Sequence, residues 1–186
     1  MNSSKDSLII RRPPKRVVLT GFRATGKTTV GQALARELGY DFLDTDQELT
    51  TRMGCSIAEH VERHGWDSFR ELEKSLLVEL CSREELVIST GGGAITHREP
   101  WERLAEDSLV VWLRADAETI CSRMTTDLKS NSQRPSLTGA NPVDEVLDLL
   151  KKRTPLYLAG SHIALDTEGM SVARLVSRIK NQLETN

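Results

Sequence analysis

The residues with the clearest chemistry form a glycine-rich loop that ends in a lysine and a threonine. Residues 21–28 read Gly-Phe-Arg-Ala-Thr-Gly-Lys-Thr and match the pattern G-x-x-x-x-G-K-[ST]. Glycines let the backbone N–H groups of such a loop turn inward and form a concave anion site, and the following helix adds the positive end of its dipole. Lys27 can reach the β- and γ-phosphates of a nucleotide, and the Thr28 hydroxyl can ligate Mg²⁺. The loop therefore predicts binding of a nucleoside triphosphate.

The alternative interpretation of this loop is a chance glycine turn before a helix. A strand pattern before the loop and a helix pattern after it favour the phosphate-binding interpretation. We expect ATP to contact Gly21, Arg23, Ala24, Thr25, Gly26, Lys27, Thr28 and Thr29. The chain has no N-K-x-D motif for reading guanine, and it is short for a AAA-type ATPase. The loop by itself leaves the phosphoryl acceptor open.

Strand and helix patterns alternate along the chain, and the elements that they predict must position this loop. Short apolar runs predict strands at 17–19, from 42, and at 86–88, 109–113 and 163–165. Helical spacing covers 28–38, 47–83 with breaks near Gly54 and Gly65, 98–106, 116–124, 143–153 and 171–183. Such alternation predicts an α/β fold with a parallel sheet covered by helices on both faces. Ligands bind at the carboxyl ends of the strands in these sheets, so Gly21–Thr28, Asp44–Asp46 and Ser89–Gly93 should meet at one rim.

Length and composition limit the class of protein. The 186 residues are enough for one domain, which we expect at 15–186 after an N-terminal arm of residues 1–14. A formal net charge of -2 gives no basic excess that would indicate a nucleic-acid partner. Three widely spaced cysteines predict neither a disulfide framework nor a zinc ribbon, and they favour a reducing compartment. No apolar run approaches the roughly 20 residues needed to span a bilayer. We therefore expect a cytoplasmic protein that binds neither nucleic acid nor membrane.

Four further segments narrow the choice of acceptor. They are Asp44-Thr45-Asp46, Phe69-Arg70-Glu71-Leu72-Glu73, Ser89-Thr90-Gly91-Gly92-Gly93, and Gln133-Arg134-Pro135 together with Arg153-Thr154-Pro155-Leu156-Tyr157. In this order, from about Arg16 to the C-terminus, they resemble the shikimate kinase family. The resemblance implies a nucleoside-monophosphate-kinase-like, three-layer fold with a five-stranded parallel sheet. It also implies a substrate-binding region at about 45–75 and a lid at about 125–141, in a segment that is long and polar for a connection.

The reaction that the resemblance implies is phosphorylation of the 3-hydroxyl of shikimate by ATP, giving shikimate 3-phosphate and ADP on the route to chorismate and the aromatic amino acids. Arg70 and Arg153 match the family's carboxylate-binding arginines, whose planar forks suit a carboxylate. For each arginine the alternative is a solvated helix charge. Glu73, three residues after Arg70, is expected to orient that arginine; its alternative is a plain surface glutamate.

The remaining catalytic residues also follow from the resemblance. Asp46 matches the aspartate that contacts the substrate hydroxyls and can orient the attacking one or accept its proton. Asp44 would act on Mg²⁺ through bound water, and Ser89 could hydrogen-bond such a water. For the two aspartates the alternative is a strand-end turn. Gly91, Gly92 and Gly93 match the family's glycine triplet, whose backbone can approach the substrate ring closely; the alternative is a flexible turn.

Two further arginines belong to the nucleotide half of the expected site. Arg134 in the predicted lid could close over the β- and γ-phosphates, unless it is a basic residue on a solvated loop. Arg123, at the base of the lid, is expected beside the adenine. The resemblance implies ATP and shikimate as substrates. We expect Mg²⁺ as the metal, because oxygen ligands and phosphates suit it, and a monomeric enzyme.

Several positions depart from the family pattern or give false leads. Ala24 stands where the family often has glycine, which would be costly only in a left-handed conformation. Trp66 stands where many relatives carry glutamate and could form a substrate wall. His60 and His64 have the wrong spacing for H-E-x-x-H and are interpreted as surface histidines. Ile57 and Phe69 could line the ring pocket or pack in the core.

Two other functions remain open at this stage. One is a related kinase for gluconate or a nucleotide, although paired arginines and three glycines suit a small carboxylated ring better. The other is a catalytically dead nucleotide-binding regulator, in which we would expect the loss of one of the residues Lys27, Asp46, Arg70, Arg134 or Arg153.

Overall fold

A computed structural model describes residues 14–126 and 142–185. The strands are β1 (Arg16–Thr20), β2 (Asp41–Asp44), β3 (Leu86–Ser89), β4 (Ser108–Arg114) and β5 (Ile163–Asp166). The helices are α1 (Lys27–Leu38), α2 (Thr45–Met53), α3 (Ile57–Leu80), α4 (Arg98–Glu106), α5 (Ala117–Thr126), α6 (Pro142–Ala159) and α7 (Val172–Thr185), with a 3-10 turn at Ala94–Thr96. All five predicted strands and all the predicted helical segments are present, with ends shifted by a few residues.

The five strands form one parallel sheet in the order β2-β3-β1-β4-β5. Its central strand, β1, is fully buried and leads directly into the glycine-rich loop. Leu19 pairs in register with Ser89, and Ser89 pairs with Asp44 on the other side. The phosphate loop, the Asp44 turn and the glycine triplet therefore leave the sheet at one rim, as the strand pattern predicted.

Helices cover both faces of the sheet, so the predicted three-layer fold is confirmed. On one face, alternate strand residues such as Val18, Ile88 and Val110 pack against α3, α4 and Tyr157 of α6. On the other face, Val17, Leu19 and their neighbours pack against α1 and α7. The alternation of side chains along each strand divides the apolar residues between these two cores.

The helix α3, which carries Arg70, is fixed at both ends. Ser56 begins it with a capping box, in which the Ser56 hydroxyl and the Glu59 carboxylate bond each other's backbone N–H groups. At its C-terminal end the buried Arg16 guanidinium donates to the carbonyl oxygens of Cys81 at 2.7 Å and Arg83 at 2.6 Å. The predicted break near Gly65 is confirmed, because Gly65 has φ 81° and interrupts the helical backbone.

Two expectations from the sequence lie outside the described residues. They are the N-terminal arm, except for Pro14, and the lid with Arg134, except for Thr125 and Thr126 at the end of α5. Of the helices in the part of the chain that the structure covers, none is both long enough and apolar enough to cross a membrane.

Candidate active site

The phosphate loop curls around the carbonyl oxygen of Phe22. Both the Thr25 hydroxyl, at 2.8 Å, and the Lys27 ammonium, at 2.7 Å, donate to this oxygen. Gly21 has φ 138°, and a β-carbon there would collide with the carbonyl oxygen of Leu113 on β4. Lys27 is buried, whereas Thr28 and Thr29 are exposed on the first turn of α1. The lysine ammonium is thus held inside the loop, where an anion would be cradled.

Ala24 has φ 61°, which settles the question that the sequence left open. An L-residue in this left-handed conformation carries a cost of roughly 1–2 kcal/mol that glycine avoids. The Arg123 guanidinium donates to the Ala24 carbonyl at 3.3 Å and to the Thr167 hydroxyl at 3.0 Å. Arg123 therefore ties the loop to the segment that follows β5. Its expected contact with adenine stays a prediction.

The side chain of Arg23 forms an ion pair with Glu145 of α6, at 3.1 Å. Glu145 is buried, with only 3% of its side chain exposed, and Arg23 is partly buried. The loop is thereby joined to the helix that follows the expected lid. No motif or periodicity indicated Glu145 as a partner of Arg23, because the two residues are 122 positions apart.

Asp44 lies between the phosphate loop and α2. Its Oδ2 accepts a hydrogen bond from the Thr28 hydroxyl at 2.7 Å, and its Oδ1 caps α2 by accepting from the backbone N–H groups of Asp46 and Gln47. A hydroxyl and a carboxylate in contact fit Mg²⁺, which prefers oxygen ligands and commonly takes one or two from the protein, with phosphates and waters supplying the rest. Thr28 and Asp44, both expected near the metal, are therefore in contact, and Mg²⁺ binding by them stays a prediction.

The backbone of the glycine triplet is held from two sides. The Thr45 hydroxyl accepts a hydrogen bond from the Gly91 N–H at 2.8 Å, and the Tyr157 hydroxyl donates to the Gly92 carbonyl at 2.7 Å. Tyr157 is fully buried and stacks on Trp112 of β4. The triplet is therefore an ordered turn. Thr45 and Tyr157 lay inside the motifs quoted above, but nothing in the sequence assigned them this task.

Both predicted carboxylate-binding arginines lie against the triplet. A β-carbon on Gly93 would collide with the Arg70 guanidinium, and one on Gly92 would lie 3.6 Å from Nη1 of Arg153. Asp46 is partly exposed on the first turn of α2, at the same rim. The structure thus brings together the two arginines, the glycines and the aspartate turn.

Arg70 is held by three neighbours on its own helix. Its Nη1 lies 2.5 Å from Oε2 of Glu73, which confirms the expected contact between these residues. The guanidinium carbon lies 5.2 Å from the ring centre of Trp66 and 5.6 Å from that of Phe69, within cation–π distance. Glu73 has only 1% of its side chain exposed, so it is not the plain surface glutamate of the alternative interpretation.

Burial decides one expectation about the pocket wall and leaves another as a prediction. Ile57 and Phe69 belong to the apolar core cluster and are almost fully buried. Both are residues of α3 that pack in one cluster with Leu49 of α2, so core packing is the correct one of the two interpretations. Trp66 is partly buried, packs on this cluster and faces the Arg70 guanidinium. Its expected place in the substrate wall stays a prediction.

Comparison with known proteins agrees with this geometry. Residues 23–184 match the family model described as shikimate kinase. The shikimate kinase of Nitratidesulfovibrio vulgaris is 44% identical over 149 residues, which is 80% of this chain and 85% of the relative. That of Oleidesulfovibrio alaskensis is 43% identical over 82% of this chain and 88% of the relative.

A solved structure gives the same result. The shikimate kinase of Acinetobacter baumannii in complex with shikimate superposes with a TM-score of 0.85 at 36% identity, covering 93% of this chain and 94% of the other. The family match, over residues 23–184, includes Lys27 and Thr28 of the phosphate loop, the glycine triplet and both arginines. This chain therefore belongs to the shikimate kinase family.

Proposed function

We propose that the chain transfers the γ-phosphoryl group of ATP to the 3-hydroxyl of shikimate, a step towards the aromatic amino acids. One observation carries the proposal. Two arginines flank a glycine triplet at the sheet rim that also holds the phosphate loop. A small ring bearing a carboxylate is the acceptor that these groups suit.

Recognition of the acceptor is assigned to Arg70, Arg153 and the triplet. A guanidinium presents paired N–H donors in a plane, which matches a carboxylate in two parallel hydrogen bonds. The triplet adds a backbone surface without side chains, which the ring can approach closely. The carboxylate fixes the orientation of the ring, and hence which hydroxyl faces the nucleotide.

Asp46 is assigned to the reacting hydroxyl. It accepts a hydrogen bond from that hydroxyl and takes its proton as the new O–P bond forms, while the bond between the γ-phosphorus and the β,γ-bridging oxygen breaks and ADP leaves. The transition state of phosphoryl transfer is loose, so orientation of the hydroxyl matters more than the strength of the base. Asp46 suits this role because the Asp44 cap fixes the turn on which it lies.

The nucleotide half of the site is assigned to the loop and the residues around it. Lys27 neutralises charge on the β- and γ-phosphates, and the loop N–H groups of 21–29 hold the remaining oxygens. Thr28 and Asp44 would hold Mg²⁺, the latter through water; the ion would supply charge stabilisation on the phosphates. Arg123 is assigned to the adenine, and Arg134, in the segment that the structure does not describe, to the transferring phosphoryl group.

A coupled ADP-release assay with several acceptors tests the proposal. Shikimate, gluconate and the common nucleoside monophosphates are each added with ATP and MgCl₂. We expect ADP release that depends on shikimate, and no comparable release with the other acceptors. Activity with gluconate or a nucleotide alone, or ATP binding with no turnover at all, would reject shikimate phosphorylation and support one of the two alternatives from the sequence.

The role of Arg70 can be separated from that of the phosphate loop. Arg70→Ala should raise the KM for shikimate by about 10- to 100-fold and leave the KM for ATP nearly unchanged, because one charged hydrogen-bonding partner of the carboxylate is lost. Arg98→Ala is the matched control, since Arg98 lies on α4 with 90% of its side chain exposed. Equal losses for both substrates in Arg70→Ala would contradict the assignment.

We also propose a reducing compartment and a monomeric state for the enzyme. Cys55, Cys81 and Cys121 are all free thiols, which suits a reducing compartment such as the cytoplasm. We expect a monomer, and size-exclusion chromatography with light scattering tests this; a mass near 42 kDa, twice that of the 20.8 kDa chain, would contradict it.

A further inference from the structure

One carboxylate oxygen of Glu73 contacts two side chains, those of Arg70 and His97. Its Oε2 lies 2.5 Å from Nη1 of Arg70 and 2.9 Å from Nε2 of His97. The site is well shielded, with 1% of the Glu73 side chain and 12% of the His97 side chain exposed. His97 is thus one contact away from the arginine that is assigned to the substrate carboxylate.

His97 belongs to a different segment from its two partners. It ends the 3-10 turn that directly follows the glycine triplet, and its backbone N–H bonds the Ala94 carbonyl. The same turn is closed by Thr96, which donates to the Gly93 carbonyl through both its N–H and its hydroxyl. Arg70 and Glu73 lie on α3. The contact between His97 and Glu73 therefore joins the helix that carries the arginine to the turn that carries the glycines.

We propose that His97 is a positioning residue for substrate binding, acting through Glu73 on Arg70. This inference rests on the proposed function, since it takes Arg70 as a ligand of the shikimate carboxylate. A carboxylate oxygen only accepts, so Nε2 of His97 carries a proton and donates to it. The hydrogen bond from His97 holds Oε2 from the side of the triplet and so opposes a rotation of Glu73 towards a second donor of Arg70. The other N–H groups of the guanidinium keep their orientation towards the acceptor.

Loss of the His97 donor removes a hydrogen bond that holds the Glu73 carboxylate in its present orientation. An arginine and a carboxylate that are free to adjust favour a two-point, parallel pairing. That pairing would draw the Arg70 guanidinium towards Glu73 and away from Gly93, against which it is now packed. The shikimate carboxylate would then meet a displaced partner, while the phosphate loop would be unaffected.

Variants of His97 that differ in length and in their hydrogen-bond donors test whether His97 positions Arg70 through Glu73. Gln places its amide nitrogen about where His has Nε2, whereas Asn is one methylene shorter and Leu has no donor. We expect His97→Leu and His97→Asn to raise the KM for shikimate about 5- to 10-fold, with the KM for ATP and kcat within about twofold of the parent, because one hydrogen bond to a charged group is lost. His97→Gln should stay within about twofold of the parent in all three parameters. His64→Leu, on the exposed part of α3, is the matched control.

A double-mutant cycle decides whether His97 acts through Glu73. In the Glu73→Ala background, His97→Asn should cause no further increase in the KM for shikimate, because the oxygen that accepts from His97 is already gone. Independent, multiplying effects would overturn the proposal. So would equal increases in both KM values, or a His97→Gln variant as impaired as His97→Asn.

The outcomes also separate this inference from the proposed function. Absence of shikimate-dependent ADP release in the parent enzyme would reject the function itself. Normal turnover in the parent, with a KM for shikimate that does not respond to His97, would reject only the relay. If His97→Leu fails to fold, judged by thermal melting, the comparison of Gln with Asn decides the question with two polar side chains.

Discussion

The close approach of Arg70 to Gly93 makes Gly93→Ala a sensitive test of the site. Gly93 has φ −97° and ψ −13°, a backbone conformation that alanine adopts without strain. The added β-carbon would collide with the guanidinium group of Arg70, and no other side chain would lie as close to it. The collision involves the far end of a flexible side chain, so we expect the fold to survive and the guanidinium to move.

The size of the effect follows from the required displacement. Carbon and nitrogen atoms settle at roughly 3.5–4.0 Å, so the guanidinium must retreat by about 1 Å or more. A misplacement of about 1 Å in a binding group can cost on the order of 100-fold. We therefore expect kcat/KM for shikimate to fall by about 10- to 100-fold, equivalent to about 1.4–2.8 kcal/mol. The KM for ATP and the melting temperature should change little.

Steady-state kinetics with each substrate varied in turn, together with thermal melting, measures these quantities. The internal control is Gly93→Ala combined with Arg70→Ala. The methyl group has nothing to displace once the guanidinium is gone, so the double variant should match Arg70→Ala alone. Unchanged kinetics for shikimate in Gly93→Ala would refute the reasoning. So would a further loss in the double variant, because the methyl group would then act on the substrate or the turn directly.

Three other variants test separate features of the structure. Ala24→Gly should raise the melting temperature by about 1–4 °C, because relief of the left-handed strain exceeds the entropy cost of glycine by about 0.5–1 kcal/mol; Ala33→Gly, within α1, should lower it. Trp66→Leu should raise the KM for shikimate about 2- to 5-fold through loss of the ring beneath Arg70, and Trp66→Phe should restore most of it. His162→Asn should flatten the dependence of the melting temperature on pH between about pH 7 and about pH 5, while the parent loses stability over this range.

The sign of the His162 effect follows from its contacts. Burial lowers the pKa of His162, and its Nδ1 accepts a hydrogen bond from the Val110 N–H, so the folded protein favours the neutral ring. The unfolded chain binds a proton at the ordinary pKa of about 6.5, hence stability is full above that pH and is lost as the pH falls through the folded pKa. An equally steep loss in His162→Asn would assign the acid sensitivity to other groups.

For Ala24 and Trp66, a lower melting temperature in Ala24→Gly and an unchanged KM for shikimate in Trp66→Leu would be the contradicting results.

The positions of the motifs could be predicted from the sequence because they depend on local patterns. Each motif directly follows a short apolar strand, and parallel strands bring their carboxyl ends to one edge. The alternation of strands and helices therefore placed Lys27, Asp44 and the glycine triplet together without any knowledge of side-chain contacts. The contact of Arg70 with Glu73 was also predictable, since residues three apart share a helix face.

Contacts between distant segments could not be predicted in this way. His97 is 24 positions from Glu73, and neither periodicity nor a motif relates them. The backbone conformation of Ala24 was open because alanine is compatible with both signs of φ at different cost. Ile57 and Phe69 were ambiguous for another reason: an apolar residue beside a binding motif has the same pattern whether it faces a ligand or the core, and only burial separates the two.

The glycine triplet has a second physical role beyond approach of the substrate. Gly93 leaves the space that the Arg70 guanidinium occupies, Gly92 has Arg153 at its side, and the carbonyl of Gly92 is fixed by Tyr157. The turn is thus a template against which the two cations are packed, and its own position is set by β3 and by Thr45. In the proposed function, selectivity for a carboxylate then depends on backbone geometry as much as on the arginines. It follows that a lysine at position 70 could not substitute for the arginine, because a single ammonium would neither fill the space against Gly93 nor bridge Glu73 and a substrate carboxylate with fixed donors.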